Sequence, residues 1–108
     1  MKPLNGIKVI DLSTLLPGPL ATLILAEAGA EVVKIERPGG EDMRRSPPFI
    51  DGESILFGVL NRGKRSIELD IKSKEGYKKI INIIKSADIV VDQFRPGVME
   101  RLNLDFKN

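Results

Sequence analysis

Arginine side chains are the groups in this 108-residue sequence best suited to binding a ligand. A guanidinium group makes paired hydrogen bonds to phosphate or carboxylate, whereas lysines spaced along a helix usually form a solvated face. Five lysines between Lys72 and Lys85 have that helical placement, but the arginines fall between or beyond the predicted helices and strands. The arginines therefore indicate an anionic partner; they are Arg37, Arg44, Arg45, Arg62, Arg65, Arg95 and Arg101.

The sequence contains neither histidine nor cysteine, and this excludes several kinds of chemistry. Ser–His–Asp and Cys–His catalytic groups, the common zinc sites and disulfide bonds cannot form from this chain. The motif G-x-x-x-x-G-K-[ST] is also missing, which excludes an ordinary nucleotide-binding P-loop. We therefore expect no metal site in the chain.

The composition predicts one globular domain. Hydrophobic residues make up 42% and charged residues 30% of the chain, and the length suits a single domain. The net charge of +2 is too small to indicate nucleic acid as a partner. The apolar run at 15–26 is shorter than the roughly 20 residues that cross a bilayer, and the first residues show no secretory signal. We expect a cytoplasmic protein with no membrane partner.

The first third of the chain predicts a βαβ unit, which would position the loop residues. Strands are predicted at Ile7–Leu12 and Val32–Glu36, with a helix between them. Pro17 and Pro19 suit the first turn of that helix, and Gly29 suits its end. Because apolar residues cover most of the circumference of the helix, we expect it to be buried against the sheet or a partner subunit.

The remaining patterns extend this unit into a doubly wound α/β domain with a parallel sheet. Tyr77, Ile80, Ile81 and Ile84 recur at the spacing of one helix face, which predicts a core-facing stripe. The predicted elements are a long irregular segment at 37–52, a short helix capped by Ser54, a strand at 66–71 with one buried face, a helix capped by Ser73, a strand at 88–92 buried on both faces, a loop at 93–97 and a short helix at 98–102.

Polar residues follow each predicted strand of the sheet. Doubly wound sheets bind ligands beyond the carboxyl ends of their strands. The sequence therefore predicts a ligand site at that edge; its candidate residues are Asp11–Ser13, Glu36–Arg37, Asp70–Lys72 and Asp92–Arg95.

A dinucleotide-binding domain is one alternative. Glu36 stands at the end of the second strand, where such domains place a carboxylate that binds ribose. However, the first turn reads Leu-Pro-Gly-Pro rather than G-x-G-x-x-G, and its prolines lack the N–H donors that would bind a pyrophosphate. The turn therefore disfavours NAD(P) binding.

Structural roles are the other alternative for each candidate residue. Arg37 could form a surface pair with Glu36 or Glu41, a contact typically worth under about 1 kcal/mol. Lys64 and Arg65 could be solvated side chains at the entry to a strand. The remaining structural roles are backbone capping by Asp11 and Asp92, solvation of Glu31, and a turn at Gln93–Gly97 with a buried Phe94.

Five segments, in this order and at these spacings, resemble the N-terminal part of the family III CoA-transferases. They are Leu4–Ser13 (LNGIKVIDLS), Pro17–Pro19 (PGP), Gly29–Gly39 (GAEVVKIERPG), Lys64–Asp70 (KRSIELD) and Phe94–Met99 (FRPGVM). The family includes formyl-CoA transferase, carnitine CoA-transferase and α-methylacyl-CoA racemase. The resemblance covers essentially all of residues 1–108.

The resemblance implies a Rossmann-like segment of a longer enzyme that binds acyl-CoA and moves CoA between carboxylic acids. It implies no prosthetic group, since coenzyme A is itself the substrate, and it implies a homodimer of interlocked chains. The catalytic aspartate of the transferases, like the His/Asp pair of the racemases, would lie beyond Asn108. By resemblance, this chain therefore contains no catalytic residue and would be inactive alone.

The resemblance also implies a role for each CoA-contacting residue. Leu16 and Pro17 would lie near the thioester, and Arg37 would contact the nucleotide end through its phosphate or by stacking on adenine. The adenosine would be bracketed by Leu69, Asp70, Ile71 and Lys72. The rest of the CoA channel would be formed by Gln93, Phe94, Arg95 and Arg101.

Two positions depart from formyl-CoA transferase. Leu16 stands where that enzyme has a glutamine near its active site, and Arg95 replaces a glycine, so the resemblance disfavours oxalate as a substrate. The apolar Leu15–Pro17 and the run at 98–102 are slightly nearer to the racemase branch, so racemase-type epimerisation of a 2-methylacyl-CoA is the alternative to CoA transfer. A non-catalytic CoA-binding or dimerisation module is an alternative of another class.

Overall fold

The computed structural model describes residues 2–93 and 98–101, which form both strands and helices. In chain order the elements are β1 (Lys8–Asp11), α1 (Pro17–Glu27), β2 (Glu31–Glu36), a 3-10 helix (Asp42–Arg45), β3 (Phe49–Ile50), β4 (Glu53–Ser54), α2 (Ile55–Asn61), β5 (Arg65–Glu68), α3 (Lys74–Lys85), β6 (Ile89–Val91) and α4 (Val98–Arg101).

The main sheet has four parallel strands in the order β5-β2-β1-β6. Val9 of β1 lies opposite Val32 of β2 and Ile89 of β6, and Ile35 of β2 lies opposite Ile67 of β5. This architecture confirms the predicted α/β fold with a parallel sheet. Because all four strands run the same way, their carboxyl ends meet at one edge.

Along each strand, successive side chains point to opposite faces of the sheet, as the pleat requires. Ile10 and Ile35 belong to one buried cluster, against which the fully buried Ile80 of α3 packs. Val9 and Val32 belong to a second cluster, with Leu25 and Ala26 of α1 against it. The sheet is therefore covered by α3 on one face and by α1 on the other.

The predicted capping residues lie at the starts of their helices, as expected. The Ser54 Oγ accepts a hydrogen bond from the Phe57 backbone N–H (3.3 Å), and the Ser73 Oγ accepts one from Gly76 N–H (3.0 Å). Pro17 lies in the first turn of α1, and Gly29 follows that helix with a φ of 107°. These observations confirm the predicted boundaries near both ends of the βαβ unit.

Gly76 allows the start of α3 to approach the segment after β5 closely. A Cβ at Gly76 would overlap the backbone carbonyl oxygen of Asp70. The same oxygen accepts hydrogen bonds from Ser73 N–H (3.1 Å) and the Ser73 Oγ (2.8 Å). The position of residues 69–72 is therefore fixed by the helix that follows them.

The predicted burial of α1 is correct for only one face. Leu23 and Thr22 are buried, but Leu16, Leu20 and Ile24 are 54%, 45% and 62% exposed. A single helix facing a sheet can bury only the stripe that points at it. The outer apolar stripe of α1 lies uncovered in the single chain.

Three other predictions were wrong in detail. The strand predicted at 66–71 ends at Glu68. The strand predicted to be buried on both faces, β6, lies at the edge of the described sheet, and its Ile89 is 41% exposed. The segment predicted to be irregular contains the 3-10 helix and β3, which pairs with β4 just after that segment. In the part of the chain that the structure describes, no helix has the length and apolarity needed to cross a membrane.

Candidate functional site

A cavity of about 410 Å³ opens at the carboxyl ends of β1, β2 and β5. This is the edge where the sequence predicts a ligand site. One wall comes from the segment after β2, and the other comes from the segment after β5. The lining residues are Leu12, Thr14, Ile35, Glu36, Arg37, Pro38, Glu41, Asp42, Leu69, Asp70, Ile71 and Lys72.

Arg37 lies on the wall that follows β2, and its side chain is 61% exposed. Its guanidinium group forms an ion pair with Asp42, and its Nε donates to the Gly40 carbonyl oxygen (3.3 Å). Arg37 therefore does form a surface pair, but its partner is Asp42 rather than Glu36 or Glu41, because both of those carboxylates are buried and engaged elsewhere. The guanidinium group is oriented yet still accessible from the cavity.

The segment Leu69–Lys72 forms the opposite wall. The Leu69 N–H donates to the Glu36 carbonyl oxygen (2.9 Å), so this wall begins as a continuation of the sheet. The Asp70 side chain accepts a hydrogen bond from the Lys72 N–H (3.1 Å). The structure thus brings Arg37 and all four residues of the predicted adenosine segment to one cavity.

Glu36 lies between the two walls and is only 2% exposed. Its Oε1 accepts from Glu41 N–H (3.0 Å) and Arg44 Nε (2.6 Å), and its Oε2 accepts from Arg44 Nη2 (2.7 Å) and the Ser66 hydroxyl. Burial raises the pKa of Glu36, but the hydrogen bonds from Arg44 and Ser66 outweigh that effect and lower the pKa to about 2. An ionised carboxylate with four donors from its own chain has no position left for a ribose, which further disfavours the dinucleotide alternative.

A second buried carboxylate, Asp11, lies at the end of β1. It accepts hydrogen bonds from Ser13 N–H (2.8 Å), the Ser13 hydroxyl and the Thr22 hydroxyl (2.6 Å). Burial raises the pKa of Asp11, but the hydrogen bonds from Ser13 and Thr22 outweigh burial and leave that pKa below its usual value. The capping role considered for Asp11 is confirmed.

Lys64 is the cation that accompanies Asp11, so its predicted role as a solvated side chain was wrong. Its side chain is 1% exposed, and its ammonium group donates to Asn61 Oδ1 (2.8 Å), the Pro19 carbonyl oxygen (3.0 Å) and Asp11 Oδ2 (3.3 Å). Burial lowers the pKa of Lys64, and the charge of Asp11 offsets only part of that effect. Arg65, in contrast, is 77% exposed, as predicted.

A second pair in which both charges are buried, Lys34 with Glu41, was missed by the sequence analysis. The Lys34 ammonium group lies 2.7 Å from Glu41 Oε2, with both side chains about 1% exposed, and it donates to the Ser13 carbonyl oxygen (3.1 Å). The Glu41 carboxylate accepts no hydrogen bond from the described residues, so its contact with Lys34 is an ion pair. A lysine within the apolar run of β2 was the feature of the sequence that could have indicated this buried pair.

The remaining candidate residues lie outside the cavity lining. Leu16 and Pro17 are exposed at the start of α1, and Arg101 is exposed on α4. Gln93 accepts from Gly18 N–H (3.3 Å) and donates to the hydroxyl of Thr14 (3.2 Å), which lines the cavity. Gln93 therefore connects the end of β6 with the loop before α1. Phe94 and Arg95 fall outside the described residues.

Comparison with known proteins identifies the family. Residues 4–108 match the family model for CoA-transferase family III. The chain belongs to CoA-transferase family III. It is 41% identical over 112 residues to a succinyl-CoA:mesaconate CoA-transferase of Haloarcula hispanica, covering 99% of this chain and 28% of that protein. It is 40% identical over 110 residues to a succinyl-CoA:glutarate CoA-transferase of Mus musculus, covering 100% of this chain and 25% of that protein.

A solved structure of a CAIB/BAIF family protein from Brucella suis has the same fold. The two chains superpose with a TM-score of 0.91 at 35% identity, over 98% of this chain and 29% of that chain. The family membership confirms the resemblance carried by the five sequence segments. The chain spans about a quarter of the length of the curated relatives it matches.

We expect the two neighbouring basic residues at the start of β5 to differ sharply in their contribution to stability. Lys64→Met should lower the free energy of unfolding by about 3–5 kcal/mol, because it leaves Asp11 buried without its cation. Arg65→Met should lower it by less than about 1 kcal/mol, because its partner Glu31 lies 3.9 Å away on the surface. Urea denaturation at pH 7 measures both changes, and equal losses would contradict the assigned burial.

Proposed function

We propose that this chain is the CoA-binding part of a family III CoA-transferase, an enzyme that moves CoA from an acyl-CoA to a carboxylic acid. The two CoA-transferases named above act on succinyl-CoA, which supports a CoA thioester as the ligand. Because the chain spans only about a quarter of their length, the complete reaction is proposed for the whole enzyme. Coenzyme A acts in it as substrate, with no prosthetic group.

The observation that carries this proposal is the cavity between Arg37 and Leu69–Lys72. Arg37 and Lys72 supply positive charge for the phosphates of CoA. Leu12, Ile35 and Leu69 supply apolar surface for a base. We propose that adenosine binds between the two walls, with Arg37 on its phosphate or against adenine.

The other predicted site residues would line the path from the cavity towards the thioester. Gln93 supports this direction, because it contacts Thr14 of the cavity and the first turn of α1, where Leu16 and Pro17 lie exposed. We assign Phe94, Arg95 and Arg101 to the same channel by resemblance to the family. Both curated relatives named above are CoA-transferases, so we favour CoA transfer over the epimerisation considered earlier.

We also propose that the whole enzyme is a cytoplasmic homodimer of interlocked chains. The exposed apolar stripe of α1, with Leu20 and Ile24, supports coverage of that face by further protein. A non-catalytic module remains the alternative of another class, and an assay for transfer by the whole enzyme distinguishes it.

Arg37→Ala should weaken CoA binding by about 1–3 kcal/mol, or about 5- to 150-fold in Kd, because a charge-assisted hydrogen bond is lost. Isothermal titration of the folded chain with CoA measures this change. Arg65→Ala is the matched control, since Arg65 is an exposed arginine at the opposite end of β5. Equal affinity of the wild-type and Arg37→Ala chains would contradict the proposed site, as would equal weakening by both substitutions.

The 108-residue chain alone should show no CoA transfer between succinyl-CoA and a dicarboxylic acid, because by resemblance the catalytic aspartate lies beyond Asn108. Separation of the CoA thioesters by liquid chromatography after incubation with the purified chain tests this. Turnover above the level seen with heat-denatured chain would show that residues 1–108 contain a catalytic group.

A further inference from the structure

The two walls of the cavity are both attached to one residue, Glu36. Its backbone carbonyl oxygen accepts the Leu69 N–H (2.9 Å), which fixes the start of the wall after β5. Its carboxylate accepts from Glu41 N–H (3.0 Å) and from two nitrogens of Arg44, which fixes the wall after β2. Glu36 itself ends β2 in the middle of the sheet.

Arg44 holds the loop after β2 against the sheet, because several contacts converge on the Arg44 side chain. Its guanidinium group forms a two-pronged ion pair with Glu36 and lies 3.9 Å from the centre of the Phe57 ring. Gly40 packs so closely on it that an added Cβ would lie 2.6 Å from Arg44 Cδ. The loop is therefore held against the sheet at residues 40, 41 and 44.

The contacts of Arg37 lie within this same loop. Its Nε donates to the Gly40 carbonyl oxygen (3.3 Å), its own carbonyl oxygen accepts the Gly40 N–H (2.9 Å), and its guanidinium group pairs with Asp42. An exposed arginine has many side-chain conformers, and fixing one of them costs conformational entropy. Arg37 is oriented only as long as Gly40 and Asp42 keep their positions.

We propose that Glu36 is a positioning residue for the CoA site, which sets the separation of its walls and the orientation of Arg37. The four donors around its carboxylate all come from this chain, so Glu36 acts on the site through the loop that it holds. Ionic attraction to Arg44 maintains the arrangement, since an amide in place of the carboxylate would present N–H groups to an arginine. This role rests on the proposed function of the cavity.

Glu36→Gln should raise the Kd for CoA roughly 10-fold, the lower end of what losing an outer supporting contact costs at metal sites. The effect should depend on Arg37: in an Arg37→Ala background, Glu36→Gln should change the Kd less than about 2-fold. Isothermal titration with CoA of the four chains gives this double-mutant cycle. A thermal melt of each chain sets a titration temperature at which all are folded.

Glu27→Gln is the matched control. It removes the carboxylate of another acid–arginine pair, Glu27 with Arg62 (2.7 Å), which lies outside the cavity lining, and it should leave the Kd for CoA unchanged. Arg44→Lys is the second variant if Glu36→Gln does not fold, because it keeps the charge but loses the paired geometry. It should raise the Kd less than Glu36→Gln, again only when Arg37 is present.

The outcomes separate this inference from the proposed function. Absence of CoA binding by the wild-type chain would overturn both. Binding that Arg37→Ala weakens, but that Glu36→Gln and Arg44→Lys leave unchanged, would overturn the positioning role alone. Equal fold losses from Glu36→Gln with and without Arg37 would also overturn it, since a purely structural contribution acts independently of that side chain.

Discussion

Carboxylates buried at the ends of β1 and β2 must be paired with donors, and this requirement shapes the edge of the sheet where the cavity lies. An ion removed from water is stabilised only when hydrogen bonds and an opposite charge replace its hydration. Asp11 is paired with Thr22 and Lys64, and Glu36 is paired with Arg44 and Ser66. Thr22 and Arg44 are 11 and 8 residues away from the carboxylates they pair with, whereas Lys64 and Ser66 are 53 and 30 residues away. Pairing the two charges therefore closes the loops after β2 and α2 onto the sheet.

This constraint explains why only part of the arginine pattern indicates ligand binding. Arg37, Arg44 and Arg45 fall within one short segment, and sequence alone gives them equal weight as anion-binding residues. In the folded chain Arg44 is paired with a buried carboxylate, and Arg45 donates to backbone oxygens of Gly39 (3.0 Å) and Glu41 (3.1 Å). Arg37 alone of these three lines the cavity. The other two build the wall on which it is displayed.

The sheet and its helices were predictable because apolar periodicity reports burial directly, as at Ile80 of α3, and because Ser54 and Ser73 cap helices through local contacts. The pairing of Glu36 with Arg44 was not predictable, since nothing in the sequence shows that Arg44 folds back across eight residues to meet Glu36. Lys64 follows a glycine and precedes an exposed arginine, and neither neighbour indicates burial. Its burial comes from α1 and α2, which pack over it. The walls of the cavity were predictable by resemblance; the buried charges behind them were not.

We propose that the phosphorylated end of CoA binds between Arg37 and Leu69–Lys72. Titration of the ¹⁵N-labelled chain of 11.9 kDa with CoA, followed by amide chemical shifts, tests it most directly. We expect the largest shift changes at residues 37–42 and 69–72, with little change on the exposed stripe of α1. Changes confined to Leu20, Ile24 and their neighbours, with none at the two walls, would contradict it.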